Sequence, residues 1–137
     1  MSIPFWVGSY IGLHFKQHGR TLKDGFDCWG LVRHVHRAQY GINLPSYAEY
    51  YKTTSSEAEI SPLITIESEA WIKIEDAFVK EGDVVVLRMR GFPLHVGIVV
   101  GDNKFLHISK DINSTIEDYT ISRWRNRIVG FYRYYDI

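Results

Sequence analysis

Gly25-Phe26-Asp27-Cys28-Trp29-Gly30-Leu31-Val32 is the stretch on which the reading of this chain turns. It holds the single cysteine of the sequence and lies where a polar, glycine-bounded segment, His18 to Gly25, gives way to helical spacing. A cysteine at a helix start faces unpaired backbone N–H groups and the positive end of the helix dipole, which favour the thiolate over a thiol of pKa ~8.5. The thiolate is the nucleophile. A lone cysteine is more often a small buried hydrophobe, so Cys28 acquires chemistry only if the fold brings it a base.

Leu31, Val32, Val35 and Ala38 follow Cys28 at helical intervals, and Gly41 supplies the stop, so a helix is expected from Cys28 to about Tyr40. Asp27 is placed to cap it. Upstream, residues 4 to 16, with Phe5, Trp6, Tyr10, Ile11, Leu13 and Phe15, read as a short helix interrupted by Gly8 and Gly12. Downstream, Leu44-Pro45-Ser46-Tyr47 leaves the helix extended, Tyr47, Tyr50 and Tyr51 cover the core edge, and one or two short helices fit between Ser55 and Glu75.

After Glu81-Gly82-Asp83 the pattern turns to strand: Val84 to Met89, His95 to Val100, Lys104 to Ser109, Thr115 to Glu117 and Ile128 to Tyr135. Helices first and strands after predict an α+β domain, with an antiparallel sheet packed on the Cys28 helix. A hairpin closed by Gly101-Asp102-Asn103 sets Gly97 opposite His107, so His95 and His107 become a diagonal pair on one face, expected to be the face covering the Cys28 helix. Gly97 leaves room for an imidazole. A slip of one residue would separate the rings.

This pair supplies the base that Cys28 needs. In the expected chemistry Cys28 attacks a carbonyl, His95 takes and returns the proton, and His107 hydrogen-bonds His95 and steadies its cationic form. The Cys28 backbone N–H is the expected oxyanion donor. His14, His18, His34 and His36 receive no role. The alternative of a metal held by Cys28, His95 and His107, with Asp27, lacks the close ligand spacing of zinc motifs, and no cofactor is expected.

With 137 residues, 45% hydrophobic and 15% aromatic, the chain is expected to be one domain, residues 1–137. Sixteen Lys and Arg balance sixteen Asp and Glu, which argues against nucleic acid or an anionic membrane as partner. Arg123, Arg125, Arg127 and Arg133, interleaved with Trp124, Phe131 and Tyr132, read as a solvated face with its aromatics turned inward. One cysteine excludes an internal disulfide. No signal-like segment opens the sequence, so synthesis in the cytoplasm is expected.

The ordered set Gly25-Phe26-Asp27-Cys28-Trp29-Gly30-Leu31-Val32, Glu81-Gly82-Asp83-Val84-Val85, His95-Val96-Gly97-Ile98-Val99-Val100-Gly101 and Phe105-Leu106-His107 resembles the successive signatures of the NlpC/P60 cysteine peptidases. The resemblance implies a papain-like α+β fold, a Cys-His-His triad on Cys28, His95 and His107, and hydrolysis of bacterial cell-wall stem peptides, typically between γ-D-glutamyl and diaminopimelate or lysine residues. Tyr10-Ile11-Gly12-Leu13, the Asp27-Cys28-Trp29-Gly30-Leu31 variant and Leu44-Pro45-Ser46-Tyr47 are similar to the branch found in phage tail-assembly proteins and prophages. That branch implies phage tail proteins as partners and delivery to the wall by a virion or by lysis. It also leaves a non-catalytic alternative, a tail component using the fold for protein contacts. Trp29 stands where many wall-recycling members carry Ser. Phe15 stands nearest the Tyr that many members place about a dozen residues before the Cys, with Tyr10 as the candidate substitute. Asp27, Trp29 and Tyr10 are accordingly candidate substrate or oxyanion residues.

Overall fold

The computed structural model describes residues 2–46, 70–89 and 92–134. A 3-10 helix, Phe5–Tyr10, leads into a small hairpin of β1 (Arg20–Thr21) and β2 (Gly25–Phe26), and then into α1 (Cys28–Tyr40). The remaining strands are β3 (Trp71–Ile74), β4 (Val84–Met89), β5 (Phe92–Gly101), β6 (Lys104–Ser109), β7 (Ile112–Asp118) and β8 (Ile128–Tyr134), with a single helical turn, α2 (Ser122–Arg125), before β8. They form one antiparallel sheet in the order β3-β8-β4-β5-β6-β7. The expected α+β architecture is present.

Three features set α1 in place. Asp27 caps it, its side chain accepting from the Gly30 N–H at 2.8 Å, and Gly41 ends it in the left-handed region at φ 68°. Leu31, Val32 and Val35 are fully buried and pack, through one apolar cluster, on Val84, Val86, Val96, Ile98, Val100, Leu106 and Ile108 of the sheet. These β5 and β6 residues alternate with His95, Gly97, Val99, Phe105 and His107, which face the other way because strand side chains alternate. Val85, Leu87, Val99, Phe105, Trp124 and Phe131 form a second core on that far face.

The Glu81-Gly82-Asp83 signature is a structural lock. Tyr40 at the end of α1 donates its hydroxyl to Glu81 at 2.6 Å. Asp83 is buried and held by the Arg133 fork, Nε to Oδ1 at 2.7 Å and Nη2 to Oδ2 at 2.9 Å, which ties the start of β4 to β8. At the opposite edge Ser114 of β7 exchanges backbone hydrogen bonds with Gly12 and Leu13, so the N-terminal segment covers the edge strand.

Two expectations about elements need correction. The region from Ser55 to Glu75 holds strand β3 at Trp71–Ile74, whose residues pair with β8 rather than forming a helix; the rest of that helical expectation, and Tyr47, Tyr50 and Tyr51, lie outside the described residues. The Phe5 to Phe15 segment is a 3-10 helix followed at Phe15 by an isolated bridge to Phe26. In the basic stretch Trp124 and Phe131 turn inward as expected, at 3% and 2% exposed, while Tyr132 is only partly buried and Arg133 departs from the expected solvated face by binding Asp83.

Candidate active site

The hairpin of β5 and β6 decides where the histidines go. Its turn has two residues, Asp102 and Asn103, both left-handed at φ 51° and 58°, with Gly101 opposite Lys104. The expected three-residue loop is therefore not what closes it, and an unbroken ladder from a two-residue turn would put the two rings on opposite faces. A register shift between Val99 and Gly101 absorbs the difference, so Val99 pairs with Phe105 and Ile98 with Leu106. Continued by one residue, that register sets Gly97 across from His107, and the rings share a face.

They meet there. His95 Nε2 and His107 Nδ1 are 2.9 Å apart, with the rings edge to face. Gly97 is the reason they fit: a Cβ at this position would stand 2.7 Å from the Phe105 ring and 3.2 Å from His107 Cβ. Phe105 lies against His107 with centroids 4.5 Å apart, and Trp124 stacks on His95 and meets His107 edge-on.

The shared face is the far one, not the face that α1 covers. The sequence expectation is corrected here by strand alternation: Val96, Ile98 and Leu106 point to the helix, so His95 and His107 point away from it. Cys28 nonetheless reaches this strand. The N–H groups of Val96 and Trp29 are directed at its sulfur. Val99 bonds through its N–H to Asp83 on the β4 side, so by alternation the Val96 N–H points toward β6. The β5–β6 ladder begins only at Ile98 and Leu106. The sulfur thus meets β5 in the plane of the sheet, beside the residue that follows His95.

Burial dominates the titration of these groups. Cys28 is 2% exposed, and its thiol is pushed up to about 12, first by burial and then by the neighbouring Asp27 carboxylate, against the smaller help of the Val96 and Trp29 amides. The expected depressed thiol is thereby reversed, because loss of water outweighs the helix terminus. His95, 5% exposed, is pushed down to about 3 by burial and by His107. Burial also lowers His107, opposed by Glu117. Burial thus favours the neutral form of each group, thiol and imidazole.

Glu117 and Trp124 are the residues that sequence reasoning missed. Glu117 Oε2 lies 2.6 Å from His107 Nε2, and its Oε1 accepts from the Trp124 indole N–H at 3.0 Å. The available signal was alternation in β7: Phe105 pairs with Glu117 and His107 with Thr115, so Glu117 is the diagonal neighbour of His107 on the same face. The ring nitrogens of His95 and His107 face one another and Glu117 rather than converging on one point, which is a relay and not a ligand set. No group of three metal-ligating side chains occurs among the described residues.

The remaining expected site residues are structural. Tyr10 accepts from Gln39 Nε2 at 2.8 Å and packs on Trp6; Gln39 is near the far end of α1, about 16 Å along the helix from Cys28 at 1.5 Å per residue. Tyr10 therefore cannot replace the hydroxyl that Phe15 lacks. Trp29 is buried, donates its indole N–H to the Pro45 carbonyl at 2.8 Å and packs edge-on against Trp71, so only its backbone faces the sulfur. Asp27 is fully buried between the Gly30 N–H, the His18 N–H and Arg20 Nη1. Arg20 continues to Ser46, bonding both its hydroxyl and its carbonyl. Gly30 permits this packing, since a Cβ there would stand 2.1 Å from the Gly19 carbonyl oxygen.

Comparison with known proteins places this arrangement. The family model described as the NlpC/P60 family matches residues 12–133. A murein DD-endopeptidase/murein LD-carboxypeptidase (MepS) of Escherichia coli strain K12 is 28% identical over 116 residues, 85% of this chain and 53% of the relative. The gamma-DL-glutamyl hydrolase of Bacillus subtilis strain 168 is 30% identical over 126 residues, 90% of this chain and 26% of the relative. The chain thus spans about half or less of the length of these two relatives. Among solved structures, the NlpC/p60 domain of the peptidoglycan hydrolase SagA aligns with TM-score 0.62 at 21% identity, covering 90% of this chain and 89% of that one. A Bacillus cereus NlpC/P60 family protein aligns with TM-score 0.67 at 18% identity, covering 93% and 37%. With its helix-borne cysteine, paired strand histidines and matched fold, the chain belongs to the NlpC/P60 family.

Proposed function

We propose that this chain is a cysteine peptidase that hydrolyses amide bonds in the stem peptides of bacterial peptidoglycan, of the γ-D-glutamyl–diaminopimelate type. The observation that carries the reading is the hydrogen bond between His95 and His107, with His95 on the strand whose Val96 amide faces the Cys28 sulfur. Since His95 Nε2 is engaged by His107, its Nδ1 is the nitrogen left for the thiol. Proton transfer from Cys28 Sγ to His95 Nδ1 accompanies attack on the carbonyl carbon. The tetrahedral oxyanion takes the Cys28 N–H, an N1 amide with no acceptor within the helix. His95 then protonates the leaving amine, and water releases the acyl group by the reverse route.

The relatives that share this fold support the substrate class, being named for murein and γ-glutamyl bonds. We further assign the chain to a phage or prophage tail, on the strength of the Asp27-Cys28-Trp29-Gly30-Leu31 and Leu44-Pro45-Ser46-Tyr47 variants. On this reading tail proteins are its partners, and a virion or lysis carries it to the wall. Purified stem peptides incubated with wild type and with Cys28→Ala test the peptidase. Cleavage by wild type alone is expected; equal cleavage by both, or none by either, overturns it and leaves the tail component without catalysis.

A further inference from the structure

Glu117 lies outside the Cys-His-His set, yet it accepts at the far side of His107 in the chain of side-chain hydrogen bonds that starts at His95. Its two oxygens have different partners, His107 Nε2 on one and the Trp124 indole N–H on the other. Arg123 stands 3.9 Å from the Trp124-bound oxygen. An ionised carboxylate only accepts, so the 2.6 Å contact requires the His107 proton to be on Nε2. Neutral His107 then presents a bare Nδ1, which accepts at 2.9 Å and requires the His95 proton to be on Nε2. His95 Nδ1 is left with a lone pair.

We propose that Glu117 is a positioning residue that sets the direction of protons along His107 and His95, so that His95 offers a base rather than an N–H to Cys28. The inference rests on the peptidase reading for its consequence, but the tautomers it specifies exist without any substrate. Trp124 makes the device stringent. In Glu117→Gln the amide has one accepting and one donating end. The Trp124 N–H claims the oxygen, and the NH₂ turns to His107. His107 Nε2 then accepts, its proton moves to Nδ1 and is donated to His95 Nε2, and the His95 proton ends on Nδ1. Each residue keeps one proton and one lone pair throughout; only the direction reverses.

The test is a long-range ¹H–¹⁵N spectrum of protein labelled in its histidines, at neutral pH, with stem-peptide kinetics on the same samples. In wild type both His95 and His107 should carry the proton on Nε2. In Glu117→Gln, His95 should show the Nδ1–H tautomer, and kcat should fall by about 100-fold or more with KM little changed, the scale of misdirected general-base catalysis. Adding Trp124→Phe removes the competing donor, frees the amide oxygen to turn to His107, and should restore the wild-type tautomer and part of kcat. A His95 proton on Nδ1 in the wild-type spectrum overturns the proposal without the variants having to fold. So does a Glu117→Gln protein with unchanged tautomers. Correct tautomers in a protein that cleaves no stem peptide would refute the peptidase and leave the relay standing.

Discussion

His95 Nε2 and His107 Nδ1 lie 2.9 Å apart across a hairpin whose turn alone would have separated them. The register shift at Val99–Gly101 and the missing side chain at Gly97 together make the contact. Both rings are buried on the face opposite α1, against Trp124 and Phe105.

Gly97→Ala tests the fit. The added Cβ meets the Phe105 ring at 2.7 Å, and Phe105 has His107 behind it at 4.5 Å between centroids. Overpacking of this kind costs about 1–3 kcal/mol, and the displaced ring should weaken the histidine contact. Urea unfolding should show a lowered midpoint together with reduced stem-peptide turnover. Wild-type stability and turnover would mean the strands part easily here.

The thiol should react slowly at neutral pH. With Cys28 held up to about 12 by burial and by Asp27, the alkylation rate should climb steadily with pH above 7 rather than reach a plateau. Asp27→Asn keeps an acceptor for the Gly30 N–H, removes the charge that raises the thiol and leaves the Arg20 cation that lowers it. Iodoacetamide should therefore modify this variant faster than wild type at every pH tested. A wild-type rate already flat between pH 6 and 9 would contradict the neutral pair.

Acid should destabilise the fold through its buried histidines. His95 moves from an ordinary value of 6.5 to about 3, with His107 and His36 displaced in the same direction by burial. A depressed folded value means the unfolded chain binds the proton first, so the stability is complete above pH 6.5 and is lost as pH falls toward 3. Each such group contributes a slope of up to about 1.4 kcal/mol per pH unit. Urea midpoints between pH 7 and pH 5 should fall for wild type and fall less steeply for His95→Gln. Identical slopes would show that His95 is not held neutral.

Asp83→Ala addresses the lock between β4 and β8. The carboxylate is fully buried, while the Arg133 side chain keeps 21% of its exposure and can regain water when its partner is removed. The loss should be about 1–3 kcal/mol, below the cost of stranding a wholly buried charge. Thermal unfolding measures it, and the rate of Cys28 alkylation should stay near wild type because the lock lies away from the sulfur.

Much of this was legible before any coordinates. The Cys28 helix, its Asp27 cap and its Gly41 stop depend on neighbouring residues, and local spacing states them directly. The strands at Val84, Lys104 and Ile128 were marked by apolar runs and turn residues. Strand β3 was hidden because its four residues, Trp71–Ile74, carry too little pattern and depend on β8 for their hydrogen bonds. Trp29 is a candidate through its place beside the cysteine and Tyr10 as a substitute for the family tyrosine that Phe15 replaces, but the Gln39 bond holds Tyr10 at the far end of α1 and packing turns the indole of Trp29 to Pro45.

The sequence by itself determined that a cysteine begins a helix, that two histidines occupy neighbouring strands, and that an antiparallel sheet follows. These are properties of short stretches, written in capping residues and periodicity. Only the tertiary structure decided which face the imidazoles share, that burial raises the thiol, and that Glu117 bonds both His107 and Trp124. The reason is physical: a bulge shifts register without a sequence marker, desolvation depends on everything packed around a group, and hydrogen bonds between strands join residues that the chain keeps apart.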